Sequence, residues 1–260
     1  MSTEKDPSQE FPEVHWNELR TRMEGFGAGA VIEFINGMDT LGQRLNLYGF
    51  AQRAFGGRDC QGKNLDAIAE VVQAGIAVTL EAAADGDDAE RGSQITDFAN
   101  VLSYNLSADL AECWPGDPLP HEPRHFEAGL RAAEDCLRWR EELGKGDYPF
   151  ASAHWARGMH LLSLGRADEA VTSMEAAVER AASLAKSEGA PPEVEPEGNF
   201  MVNLNSGYLG IARASAGDEA GRDLFQRACD AFEKTTGEGA EDAKFGLEQL
   251  RYVGGRFLEQ

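Results

Sequence analysis

The run Ala151-Ser152-Ala153-His154-Trp155-Ala156-Arg157-Gly158-Met159-His160-Leu161-Leu162-Ser163-Leu164-Gly165-Arg166-Ala167-Asp168-Glu169-Ala170, continued by Met174, Ala177 and Val178, decides the fold. Apolar residues recur at three- and four-residue steps on both sides of Gly165, which is the pattern of two amphipathic helices. Small residues stand at Gly158, Gly165, Ala170 and Ala177, where antiparallel helices can approach closely. Gly165 supplies the backbone freedom of a tight reversal. The stretch therefore predicts a helical hairpin, 151–164 with 167–186.

Working outward, the same plan recurs along most of the chain. Between Asn64 and Ala84 the apolar set Leu65, Ile68, Ala69, Val72, Ile76, Leu80 and Ala83 keeps helical spacing. Asn64 is placed to cap this helix, and Asp85-Gly86-Asp87-Asp88 to end it. Phe126, Leu130, Ala133 and Leu137 form a second stripe; Ala243, Leu247, Leu250, Gly254 and Phe257 form a third. Further hairpins are predicted at 39–56 with 64–85, 91–113 with 122–143 and 199–216 with 218–235, and a lone helix at 240–258 caps the series. Period-two runs of β-branched residues are absent, so no sheet is expected. The expectation is an all-α protein of about eleven helices, with antiparallel hairpins stacked as an α-solenoid. Residues 1–12 read as a disordered leader and 13–260 as one helical-repeat domain. The acidic, proline-rich stretch 187–198 reads as an insertion between helices rather than a linker.

The Leu164-Gly165-Arg166-x-x-Glu169-Ala170 string, with Gly158 seven residues before Gly165 and Ala177 seven after Ala170, resembles a tetratricopeptide repeat. The match covers one repeat of about 34 residues. Asn203 to Phe232 is a weaker copy, with Ala216-Gly217-Asp218-Glu219-Ala220 at its turn. The resemblance implies a groove, lined by the first helix of each pair, that binds a peptide or protein segment. On the matched repeat the groove positions would be Ser152, Trp155, Met159, Leu162 and Ser163, with Trp155 and Met159 as apolar anchors. Asn100, Asn105, Asn203 and Asn205 lie on expected first helices, but the Lys/Asn set with which some members clamp a terminal carboxylate is not recognisable.

Composition narrows the partner. The 260 residues carry 45 Asp and Glu against 24 Lys and Arg, a net charge of -21. Duplex-coating proteins neutralise phosphates with an excess of the opposite sign, so nucleic acid is disfavoured, and an anionic membrane surface likewise. A basic protein or peptide partner suits this charge. With 42% hydrophobic residues the chain has material for a core, which excludes wholesale disorder. The polar start Met1-Ser2-Thr3-Glu4-Lys5-Asp6-Pro7 has no basic or apolar targeting region, and no uninterrupted apolar stretch approaches the ~18 residues of a membrane span. Cys60, Cys113, Cys136 and Cys229 form no C-x-x-C pair and read as buried, reduced thiols. The expected compartment is the cytoplasm.

Three strings imitate catalytic motifs. His121-Glu122-Pro123-Arg124-His125 fits H-E-x-x-H, which needs both histidines one turn apart on one helix around a zinc ion. Pro123 instead belongs in a helix's first turn, which leaves His121 outside it. Gly25-Phe26-Gly27-Ala28-Gly29-Ala30 follows a charged helical stretch rather than the strand that a dinucleotide loop requires. Asp85-Gly86-Asp87-Asp88 lacks the ligand spacing of a calcium loop. His154 and His160 are six apart and point to different faces of their helix. No catalytic residue, metal ligand or cofactor is assigned. The reading is an interaction scaffold. Its alternatives are a metal-dependent hydrolase using residues 121–125 and a purely structural protein that self-associates.

Overall fold

Short stripes of apolar residues at helical spacing leave each helix one face to bury, and antiparallel neighbours bury it. The computed structural model describes residues 7–56, 64–84, 89–117 and 120–259. Among these the chain is all-α and has no strand. It divides into two compact units, residues 1–109 and 110–260. Residues 1–6 of the expected leader, Cys60 and the Asp85–Asp88 cluster lie outside the described residues.

The first unit holds α1 (Pro7–Val14), α2 (Trp16–Phe26), α3 (Ala28–Asn36), α4 (Leu41–Gly56), α5 (Leu65–Ala84) and nearly all of α6 (Ala89–Leu110). The expected α4/α5 hairpin forms, and α3 packs on both its helices. The Asn64 carboxamide accepts the Ala67 N–H at 3.1 Å and so caps α5 as its sequence predicts. At Gly27 the backbone takes φ +80°, and this single residue breaks α2 from α3, with helix on both sides. Tyr48 is fully buried against Gly75 and donates its hydroxyl to Asn36 Oδ1 at 2.9 Å. Helix α5 is long and apolar enough to cross a membrane by length and composition. Asp66, Glu70, Gln73 and Glu81 interrupt it, and Leu65, Ile68, Val71, Val72, Gly75 and Thr79 are buried within the unit.

The second unit is the helical stack. It consists of α7 (Pro123–Glu142), α8 (Asp147–Ser163), α9 (Ala167–Ser187), α10 (Phe200–Ser215), α11 (Ala220–Lys234) and α12 (Ala240–Leu258), the last led in by a short 3-10 turn at Gly237–Gly239. Each helix packs on the next, and α8 also meets α10 while α10 meets α12. First helices of successive hairpins therefore lie side by side, which defines an inner face. The decisive hairpin is built as read. Gly165 takes φ +73° at the reversal, and Ala170, Met174 and Ala177 are fully buried. A Cβ on Gly158 would stand 2.6 Å from Met174 Cε, so the absence of a side chain is what lets α9 close on α8.

The acidic stretch after α9 is bound to the stack near its C-terminal end. Glu195 and Asn203 exchange two hydrogen bonds, of 3.2 and 3.0 Å, between backbone and carboxamide. Glu197 accepts the Thr236 hydroxyl at 2.9 Å. Since α9 and α10 pack directly on one another, this stretch interrupts a continuous pair of helices.

Candidate functional site

The inner face of the second unit is built from side chains on three adjoining helices. Helix α8 contributes Trp155 and α10 contributes Tyr208 and Asn205. Helix α12 contributes Phe245, Gln249, Tyr252 and Arg256, whose three- and four-residue spacing puts them on one side. Against this face runs the chain's own segment Glu112–Asp117, which precedes α7.

Four relationships fix the segment. The Trp114 ring meets Trp155 edge-on, with centroids 6.3 Å apart and planes at 69°. On its other side Trp114 stacks on Phe245 at 6.3 Å. The Arg256 guanidinium donates to the Glu112 carboxylate at 2.5 Å and also to the Glu112 carbonyl. Both partners of that ion pair keep only about a quarter of their side-chain surface exposed, which makes it worth more than a solvated pair. Cys113 is fully buried between these anchors and lies close enough to Tyr208 and Tyr252 to act on both phenols.

Beneath the segment the polar groups are incompletely matched. Burial raises the Tyr208 phenol well above its ordinary pKa, so the hydroxyl stays protonated. The Trp155 N–H lies beside that hydroxyl, yet neither makes a hydrogen bond of ordinary geometry. Asn205 Oδ1 and Gln249 Nε2 are likewise buried and unpaired. Four such atoms on three adjoining helices are unusual, because buried polar atoms are nearly always satisfied.

The chain matches no family model, no curated protein and no solved structure.

The residues expected to line a groove fall as follows. Trp155 faces the inner surface, but Trp114 and Tyr208 cover it and leave 7% exposed. Met159 and Leu162 are buried, and Ser163 is half-buried. Ser152 is buried with its hydroxyl donated to the Tyr148 carbonyl at 3.1 Å. Among the asparagines, Asn100 bonds Asp97, Asn105 bonds Gln52, Asn203 bonds Glu195 and Asn205 Nδ2 donates to the Met201 carbonyl, so each is engaged within the chain. The α12 stripe went unrecognised because its polar members, Gln249 and Arg256, break the apolar pattern that marks a face. Its spacing alone was the available signal.

At the H-E-x-x-H string the helix starts where the proline demands. Pro123 is the first residue of α7 and Glu122 is its N-cap. His125 Nδ1 accepts the Glu122 backbone N–H at 3.0 Å, the return half of a capping box. His121 lies outside the helix, stacked on Phe126 at 6.0 Å, and its ring centroid is 6.3 Å from that of His125. Arg124 pairs with Glu122. The string builds a helix start.

His154 and His160 are both interior but differ in surroundings. Burial, reinforced by the charges of Arg180, Arg157 and Arg140, pushes His154 down to about 4. His160 is fully buried, and Gly129 leaves room for its ring. Cys136 and Cys229 are buried thiols, each pushed up to about 11, chiefly by burial.

Proposed function

We propose that this chain is a protein-interaction scaffold that holds a short segment of a partner against α8, α10 and α12. One observation carries the reading: that face already holds an irregular, non-helical peptide, Glu112–Asp117, by an aromatic slot and an arginine clamp. An aromatic anchor buried between rings and a charge pair at its edge are the usual elements of a peptide site. The tetratricopeptide likeness at 151–184 supports the same role. In this reading the partner is a protein with basic flanks to suit the net charge of -21, and the compartment is the cytoplasm.

The test is a display library of short random peptides, panned against the full-length protein and against Trp114→Ala. An enriched peptide that raises the melting temperature and protects α8, α10 and α12 amides from hydrogen exchange supports the reading. Failure to enrich any peptide, or protection confined to other helices, overturns it.

A further inference from the structure

A scaffold whose inner face is occupied in the free protein raises the question of what that occupant represents. We propose that Glu112–Asp117 is a resident stand-in for the partner, and that the partner is a segment with a carboxylate two residues before a large aromatic ring. This rests on the scaffold reading above and names the partner's chemistry.

The argument starts from the fit. Glu112 and Trp114 are the residues that meet complementary groups: the Arg256 guanidinium, and the slot between Trp155 and Phe245. The segment is bent, with the Cys113 N–H donated to the Ala111 carbonyl at 2.9 Å and a turn after Trp114, and in this conformation both side chains reach one face together. On helix α12 the two partners, Phe245 and Arg256, lie about three turns apart on one stripe and so face the segment together. The site thus reads a pair of features at fixed separation.

The hold on the resident is incomplete. Trp114 remains half-buried and Phe245 is 37% exposed, so the slot is open at one side. On the same three helices, Trp155 Nε1, Tyr208 Oη, Asn205 Oδ1 and Gln249 Nε2 are buried without a hydrogen bond of ordinary geometry. Cys113, buried beside Tyr208, offers only a weakly bonding thiol. A partner segment with a stronger hydrogen-bonding group in that place gains bonds that the resident lacks. Displacement is then favourable even though the resident competes from the same chain. That competition is substantial, since a short tether gives effective concentrations around millimolar.

The probe is a synthetic peptide of residues Leu110–Asp117, titrated under reducing conditions against the full-length protein and its Trp114→Ala variant. With the slot emptied, the peptide should bind Trp114→Ala about tenfold or more tighter than wild type. Changing Glu112→Gln in the peptide should weaken it, and Arg256→Gln in the Trp114→Ala protein should erase that difference. Equal affinity for both proteins, or no binding to a Trp114→Ala chain whose circular dichroism shows it folded, overturns the proposal. Should Trp114→Ala not fold, Glu112→Gln in the protein loosens the clamp without opening a cavity. The peptide must then bind that variant more tightly than wild type, and equal affinity again overturns the proposal. A library peptide that protects the inner face but ignores Trp114 and Arg256 would leave the scaffold reading standing and remove this one.

Discussion

Gly210 on α10 and Gly221 on α11 meet backbone to backbone: a Cβ on Gly221 would lie 2.5 Å from the Gly210 carbonyl oxygen, and one on Gly210 would lie 2.7 Å from that of Gly221. No side-chain rotation relieves such a contact. Gly210→Ala and Gly221→Ala should each cost about 3 kcal/mol, at the upper end of overpacking. Gly158→Ala meets Met174, whose flexible end can move, and should cost only about 1 kcal/mol. Chemical denaturation of the three variants checks the order. A Gly158→Ala chain less stable than the other two would show that the crossing of α10 and α11 is looser than described.

Trp155→Ala should act first on stability. Its ring lies between Trp114 and Tyr208, so truncation leaves a cavity costing about 3–5 kcal/mol. The thermal midpoint should fall by many degrees, with Trp155→Phe intermediate. An unchanged midpoint alongside lost peptide binding would place Trp155 at the interface alone.

His154 gives the fold an acid-sensitive element. Its folded pKa, about 4, lies below the 6.5 of an unfolded histidine, so the unfolded state binds the proton more readily. Stability should therefore be full above pH 6.5, decline as pH falls toward 4, and level off below. The loss from this group is of order 3 kcal/mol. The carboxylate of Asp147 is held below its usual range by Ser183 and Arg180, so its contribution disappears only at still lower pH. His154→Gln should flatten the upper window and leave the lower one. An equally steep decline in that variant would assign the sensitivity elsewhere.

The residues of the H-E-x-x-H string should behave as a cap. His125→Ala removes the side chain that receives the Glu122 N–H and should cost about 1 kcal/mol. Adding zinc should leave the melting temperature of wild type where it was. A stoichiometric metal that is bound by wild type and lost in His125→Ala would restore the hydrolase alternative.

Much of the second unit was legible because its signals are local. Gly165 and Gly217 mark their reversals, Pro123 its helix start, and the stripes from α7 onward keep helical spacing over long stretches. The first three helices were harder to read. They run 8, 11 and 9 residues, and neither His15 nor Gly27 caps with a side chain, so no boundary residue announces α2 or α3. The proline-rich 187–198 reads as an insertion and lies inside the second unit, whereas the division falls at Asp109/Leu110, at the end of an unbroken helical pattern that composition does not mark. The site was the least legible part. Trp114, Trp155, Tyr208 and Phe245 are far apart in the chain, and only the fold brings their rings together. The repeat register puts Trp155 on a groove face, but nothing local shows that another tryptophan of the same chain would cover it.

The Trp114–Trp155 pair has an optical consequence. Two indoles 6.3 Å apart, with planes inclined at 69°, are close and skewed enough for their electronic transitions to couple. Such coupling gives a pair of opposite-signed bands in circular dichroism, to which the more isolated tryptophans add little. The bands depend on the resident segment being seated, and either Trp114→Phe or Trp155→Phe would remove them. The protein thus carries its own spectroscopic record of whether the inner face is open or closed, and it can be read without a label.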